Sequence, residues 1–231
     1  MKNNQLITIE YPKSLIAESY RTLRTNINFS SFDNKVKTIV VTSSGPKEGK
    51  SVTCANLAVV MAENGCKTIL IDCDQRKSSI HKLFNISNEK GLSDFLVGNI
   101  QFSEAVQKTE IPNLSMVTSG TKPPNPSELV ASDKMKKFIE DLKENYDYII
   151  LDTPPVIVVT DAQLISSYAD GCILVVASSE VEKAVAIKAK ELLKKVNARI
   201  LGVVLSKMDI KQRRYSRYYY SRCRKLKIKE S

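Results

Sequence analysis

The sequence has little of what marks a secreted or membrane-spanning protein. Its five cysteines form no CxxC pair, tryptophan is absent, and the single histidine, His81, has no second ligand at metal spacing. Scattered thiols of this kind are typical of a reducing compartment. No apolar run reaches the roughly 18 to 20 residues of a transmembrane helix, and the N-terminus has no apolar signal-peptide core. We therefore expect a cytoplasmic protein that would reach the inner face of the membrane through its basic C-terminal tail or through a partner.

The positive charge of the chain is concentrated at its C-terminal end. The net charge is +10, and residues 211–231 contain nine Lys or Arg and one acidic residue, so this segment alone carries +8. The remainder is nearly neutral, which argues against a basic globular face for nucleic acid. Because apolar periodicity stops after Asp209, we expect a folded domain over residues 1–209 and a flexible basic tail over 210–231. The tail holds four of the nine tyrosines, Tyr215, Tyr218, Tyr219 and Tyr220.

The main body of the chain alternates short β-branched runs with longer helical stretches. This pattern is typical of βαβ units and predicts an α/β fold with a mostly parallel sheet flanked by helices. The predicted strands are 38–42, 68–72, 148–152, 172–177 and 201–206, with a weaker one at 114–118. The predicted helices are 12–28, 50–64, 127–145 and 181–196. Three prolines make residues 121–125 an extended loop.

The first strand leads into a loop that ends in Gly-Lys-Ser and opens a helix, which is the context of a P-loop. Backbone N–H groups of such a loop surround phosphate oxygens, the lysine reaches the outer phosphates and the serine hydroxyl binds magnesium. The usual first glycine is replaced by Ser44. A helix-capping loop with the same letters is the alternative, but strand, loop and helix together favour the P-loop. The predicted phosphate-binding residues are Gly45, Pro46, Lys47, Glu48, Gly49, Lys50, Ser51 and Val52.

Carboxylates end two later strands of the predicted sheet. Asp72 and Asp74 are two residues apart, and Asp152 precedes a proline-enforced stop. Ligands of open α/β sheets bind beyond the carboxyl ends of the strands, where these residues and the P-loop would converge. One such residue would be an ordinary loop starter, but three beside a P-loop favour a site for ATP and Mg²⁺. We predict Lys50, Asp72, Asp74 and Asp152 as catalytic residues, and Ser51, Asp72 and Asp152 as metal ligands. Arg76 could contact phosphate or pair with a neighbouring carboxylate.

These motifs resemble the bacterial tyrosine kinases, or BY-kinases, of the CapB/CpsD type. That family lies in the deviant-Walker P-loop group, which also holds the MinD and ParA ATPases. The resemblance covers essentially the whole chain and includes ESYRTLRTNI, SGTKPPNPSELVAS and LDTPPVIVVTDA. The signature lysine of the wider group falls on Gly45, with Lys47 two residues later, which counts against a MinD- or ParA-type protein. Some relatives have Asn where this chain has Ser206, so adenine preference follows from the resemblance alone.

The resemblance implies a Mg-ATP-dependent protein-tyrosine kinase that regulates capsular or exopolysaccharide synthesis. It implies autophosphorylation of the tail tyrosines between subunits, other protein-tyrosine substrates, and a membrane-anchored activator that supplies a cytoplasmic segment. It also implies a homo-oligomeric ring that forms through Glu18, Arg21 and Arg24. Either Asp72 or Asp74 would accept the tyrosine proton. Two alternatives stay open: a nucleotide-switched ATPase that positions a partner or membrane, and a basic-aromatic tail that binds nucleic acid or anionic lipid.

Overall fold

The structure, a computed structural model, describes residues 6–30 and 35–208. The predicted tail and its four tyrosines lie outside the described residues. The strands are β1 (Thr38–Ser43), β2 (Thr68–Asp72), β3 (Val106–Lys108), β4 (Leu114–Val117), β5 (Tyr148–Asp152), β6 (Gly171–Ala177) and β7 (Ile200–Ser206). The helices are α1 (Ile7–Glu10), α2 (Leu15–Ser30), α3 (Lys50–Glu63), α4 (Ile80–Phe84), α5 (Leu92–Val97), α6 (Phe102–Ala105), α7 (Pro126–Ala131), α8 (Asp133–Asn145), α9 (Asp161–Ser166) and α10 (Lys183–Lys195). None of them, within these ranges, is long and apolar enough to cross a membrane.

The seven strands form one sheet in the order β3-β4-β2-β5-β1-β6-β7. Every neighbouring pair is parallel except β3 and β4, so the prediction of a mostly parallel sheet is confirmed. In the pairing of β2 with β5, Asp72 lies directly opposite Asp152. The carboxyl ends of the central strands therefore bring the predicted acidic residues to one edge of the sheet.

Two apolar layers cover the two faces of the sheet. Along β2, Ile69 and Ile71 point into one layer and Leu70 into the other, as the two-residue period of a strand requires. Helix α3 packs on the Leu70 face, and α8 packs on the opposite face. Because both faces are buried, the central strands read as continuous apolar runs, which is why the sequence revealed them.

Helix boundaries differ from the prediction where a local cap competes with apolar periodicity. The predicted helix over 127–145 is two helices, α7 and α8. They separate at Ser132, whose backbone is extended (ψ 151°) and whose hydroxyl accepts the Met135 N–H at 3.1 Å. Such a side-chain acceptor satisfies one of the free N–H groups of a helix start. The three-residue β3 and the short helices α1, α4, α5, α6 and α9 were not predicted, since each spans too few residues for a periodic signal.

Candidate active site

The phosphate loop joins the end of β1 to the start of α3. Gly49 has a φ of +88°, a left-handed conformation that favours glycine, and a Cβ at this position would come within 3.5 Å of Ser206 Cβ. Lys47 also has a positive φ, 63°, and its side chain is exposed together with that of Pro46. The loop thus curls so that the N-terminus of the 14-residue α3 opens directly onto it. Such an end attracts anions through its free N–H groups and its dipole.

The side chain of Glu48 lies beneath this loop. The residue is 4% exposed, and its Oε1 accepts hydrogen bonds from the Ser44 hydroxyl, at 2.6 Å, and from the Gly45 N–H. Its Oε2 accepts the Ala177 N–H at 3.3 Å, which fastens the loop to the end of β6. The Ser206 hydroxyl donates to the Glu48 carbonyl and so ties the loop to β7. The carboxylate of Glu48, a residue that we predicted to bind phosphate, therefore braces the loop.

Lys50 lies among the predicted carboxylates. Its Nζ is 2.9 Å from Asp74 Oδ2, 3.4 Å from Asp152 Oδ1 and 3.2 Å from the Ser51 hydroxyl. Burial by itself would lower the pKa of Lys50, but the charges of Asp152 and Asp74 outweigh that effect and hold the pKa above its ordinary value. Lys50 is thus a cation at neutral pH. The structure brings Lys50, Ser51, Asp74 and Asp152 together at the carboxyl edge of the sheet.

Asp72 lies deeper than Asp74 and is completely buried. Its Oδ1 accepts the Asp74 N–H at 3.1 Å, and its Oδ2 accepts the N–H groups of Ser79 and Ile80 at 3.1 and 3.2 Å. Burial and the charge of Asp152 raise the pKa of Asp72 to about 7, against the opposing effects of Lys50 and these N–H donors. Burial also raises the pKa of Asp152. Two desolvated carboxylates side by side make a site that favours a bound cation.

The oxygen atoms present here fit a magnesium ion. Asp152 Oδ2 is buried and has no hydrogen-bond partner among the described residues, and the Ser51 hydroxyl lies close to the same carboxylate. Within residues 6–30 and 35–208, no three His, Cys, Asp or Glu side chains are arranged to hold a metal by themselves. Magnesium commonly takes one or two protein ligands and completes its shell with water and phosphate oxygens. Ser51 and Asp152, with Asp72 behind them, are the residues that could hold it.

A groove of about 910 Å³ opens beside the loop, between α2 and the edge strand β7. At the loop end it is lined by Gly49 and Val52, and its apolar walls include Leu15 of α2 and Leu205 of β7, which are 41% and 55% exposed. Sequence reasoning missed this groove. The available signal was Leu205, an apolar residue near the end of the last predicted strand, which lines the groove and is exposed.

Two further groups of predicted residues lie apart from this centre. Arg21 pairs with Glu18 at 3.1 Å on the exposed face of α2. Arg24 instead donates to the Val60 carbonyl of α3 at 2.9 Å, so the predicted interface stripe is partly engaged within the chain. Arg76 pairs with Asp161 at 3.1 Å, which is one of the two alternatives that the sequence left open.

Comparison with known proteins gives consistent relatives. A family of AAA domains matches residues 36–206. The chain is 41% identical to the putative tyrosine-protein kinase CapB of Staphylococcus aureus over 209 residues, which cover 90% of this chain and 92% of that protein. Among solved structures, the chimerical protein CapA2B2 superposes with a TM-score of 0.86 at 44% identity, covering 90% of this chain and 92% of that one.

The fold is also shared with a more distant ATPase. The septum site-determining protein MinD of Pyrococcus horikoshii, solved in complex with Mg-ADP, is 25% identical. It superposes with a TM-score of 0.63 and covers 74% of this chain and 70% of its own length. These comparisons confirm the predicted fold class, a P-loop NTPase of the deviant-Walker type with a mostly parallel sheet.

Proposed function

This chain belongs to the bacterial tyrosine kinases, and we propose that it transfers the γ-phosphoryl group of MgATP to tyrosines, including those of its own tail. The observation that carries the proposal is the placement of Lys50 between Asp74 and Asp152 at the mouth of the phosphate loop. A cation, two carboxylates and a helix N-terminus at one point are what phosphoryl transfer requires, because its catalysis consists mainly of positioning and charge stabilisation.

In the proposed reaction, the tyrosine oxygen forms a bond to the γ-phosphorus while the bond from that phosphorus to the β–γ bridging oxygen breaks. ADP leaves, and the tyrosine proton passes to a carboxylate of the protein. Lys50 and the loop N–H groups stabilise charge on the transferring group. Ser51 and Asp152 would hold magnesium, with Asp72 beside them, and the ion when bound would supply charge neutralisation at the phosphates. Glu48 keeps the loop in shape from beneath.

The proton acceptor is Asp74 in this proposal, and not Asp72. Asp72 already accepts three backbone N–H groups and is completely buried. Asp74 is slightly exposed at 4% and contacts Lys50 directly, so an incoming hydroxyl can reach it more easily. A free tyrosine has a pKa near 10, so the hydroxyl needs such a base at neutral pH.

Replacing the two aspartates separately tests this assignment. Asp74→Asn should lower kcat by about 10² to 10⁴-fold, the usual contribution of a general base, and leave the Kd for MgATP nearly unchanged. Asp72→Asn places an amide NH₂ against backbone donors, so it should lower the unfolding temperature as well as activity. Transfer rates and MgATP binding are measured on each variant. If Asp74→Asn weakens MgATP binding as much as it slows transfer, Asp74 acts on the nucleotide and is not the base.

The proposal extends to the assembly around the kinase. A ring that uses the exposed Glu18–Arg21 pair and Arg24 would bring the tail of one subunit to the site of another. Multiple tail phosphates would cancel most of the tail's positive charge and dissociate the ring. A membrane-anchored activator would supply a cytoplasmic segment and recruit the chain from the cytoplasm to the inner face of the membrane. The apolar groove is lined by Gly49 of the phosphate loop, so a segment bound there would lie next to that loop. Through this assembly, the kinase would control capsular or exopolysaccharide synthesis.

The decisive experiment follows phosphate from γ-labelled ATP with magnesium. We expect phosphotyrosine on Tyr215, Tyr218, Tyr219 and Tyr220, lost when all four are changed to Phe, since these hydroxyls are the acceptors. Transfer between subunits predicts a specific rate that rises with protein concentration, whereas transfer within one chain predicts a rate independent of dilution. The measurement is phosphosite mapping with a dilution series, with and without a candidate activator segment. The control changes Tyr11, an exposed tyrosine outside the tail, to Phe.

ATP hydrolysis without any phosphotyrosine, with activator present, would contradict this proposal and favour the nucleotide-switched ATPase. Retention of label in the variant with all four tyrosines changed to Phe would be consistent with kinase activity, but it would show that the acceptor residues lie elsewhere in the chain.

A further inference from the structure

A second polar cluster lies beside the proposed catalytic centre and is organised by Arg76. The guanidinium donates through Nε to Asp161 Oδ2 at 3.1 Å and through Nη2 to Asp161 Oδ1 at 3.3 Å. Nη2 also donates to the Ser127 hydroxyl at 2.7 Å, and that hydroxyl donates to Asp161 Oδ1 at 2.6 Å. The three side chains therefore form a closed triangle in which each one contacts the other two.

The burial of Asp161 shows that this triangle is built into the fold. The Asp161 side chain is 0% exposed, and the Arg76 side chain is 38% exposed at the surface. A buried carboxylate is strongly destabilising unless it is paired and hydrogen-bonded, and Arg suits this task because its planar fork matches both carboxylate oxygens. Arg76 is thus the charge partner of the buried Asp161.

The triangle ties together three segments of the chain. Asp161 starts α9, Ser127 lies in the first turn of α7, and Arg76 lies in the loop between β2 and α4. The segment that leads into α7 is also held in place. It begins at Thr121, whose N–H donates to the buried Asp94 at 3.1 Å. The loop that carries Arg76 is therefore fastened to fixed points.

The same loop orients the proposed base. Two residues before Arg76, Asp74 is held by the Lys77 N–H, which donates to its Oδ1 at 2.9 Å, and Asp74 Oδ2 contacts Lys50. We propose that Arg76 is a positioning residue: its attachment to Asp161 and Ser127 holds the loop so that Asp74 faces Lys50. This inference rests on the proposed phosphoryl transfer and adds to it a residue that does not touch the reacting atoms.

The test compares Arg76→Gln, Asp161→Asn and the double variant. If the pair positions Asp74, each single change should lower kcat by about tenfold to a hundredfold, as small misplacements of catalytic groups do, and leave the Kd for MgATP within about twofold. The double variant should be no slower than the slower single variant, because both changes break one interaction. Arg76→Lys should recover part of kcat. Arg199→Gln, at the opposite edge of the sheet, is the matched control and should leave kcat unchanged.

Stability is measured alongside, since Arg76→Gln leaves Asp161 buried without its partner, while the double variant removes both charges. A lower unfolding temperature with unchanged kcat per folded molecule would overturn the proposal. So would weaker MgATP binding in Arg76→Gln but not in Asp161→Asn, because Arg76 would then contact phosphate directly.

Hydrogen exchange at the Ser79 and Ile80 amides gives a readout that does not depend on activity. The exchange should accelerate in Arg76→Gln, and unchanged exchange would overturn the inference. A wild-type chain that transfers no phosphate to tyrosine would instead contradict the proposed function.

Discussion

Lys50→Met should abolish measurable tyrosine phosphorylation, with a loss of about 10³-fold or more in transfer rate. Removal of a single preorganised charge or donor from such a site commonly costs 10² to 10⁵-fold, as a rough range. In this chain the loss is aggravated, because Lys50 lies 2.9 Å from Asp74 and 3.4 Å from Asp152, both nearly or wholly buried. Without the ammonium group these two carboxylates repel each other and the phosphates. Transfer from γ-labelled ATP at saturating magnesium measures the effect.

The matched control for Lys50→Met is Lys136→Met. Lys136 lies on the exposed face of α8, where it pairs with Asp133 one turn away, so its loss should leave transfer unchanged. Lys50→Arg adds a second comparison, because it keeps the charge but changes its shape and reach. Transfer by Lys50→Met within about tenfold of wild type would contradict the assigned role, since that is far below the range for a transition-state contact.

The parts of this fold that could be predicted from the sequence are those encoded by continuous local patterns. Strands β1, β2, β5 and β6 are buried on both faces, so they read as unbroken apolar runs. Asp72 and Asp152 could be predicted to lie at one edge of the sheet because parallel strands end together. Their direct pairing across β2 and β5 confirms this prediction. The phosphate loop could be recognised because its function requires Gly-Lys-Ser at a strand-to-helix turn.

What could not be predicted depends on contacts between residues far apart in the chain. The contact that fastens Glu48 to β6 could not be predicted, since its partner Ala177 is 129 residues away. Arg76 and Asp161 are 85 residues apart, and either could have been a surface charge. The break at Ser132 was missed for a different reason: it depends on a single hydroxyl cap within an otherwise helical stretch.

Asp152→Asn should separate function from stability. Transfer should fall by about 10² to 10³-fold, because the variant loses a carboxylate proposed to hold magnesium. Its unfolding temperature should nevertheless rise. Asp152 is completely buried, burial raises its pKa, and it lies opposite the equally buried Asp72, so its charge opposes folding. The neutral Asn removes that cost and keeps the shape, while Lys50 retains Asp74 as a partner. A gain of about 1 kcal/mol corresponds to roughly 2 to 4 °C for a domain of this size.

Thermal unfolding of the two proteins in a metal chelator without nucleotide measures this gain, so that ligand binding does not contribute. Asp133→Asn is the matched control, because that carboxylate is 99% exposed and its loss should change neither the unfolding temperature nor transfer appreciably. An inactive Asp152→Asn variant that unfolds at a lower temperature than wild type would show that the Lys50–Asp152 contact outweighs the cost of burying the carboxylate. In that case the site would be held together by its ion pairs. A rise would show that the chain keeps a destabilising charge at this position because the reaction needs it.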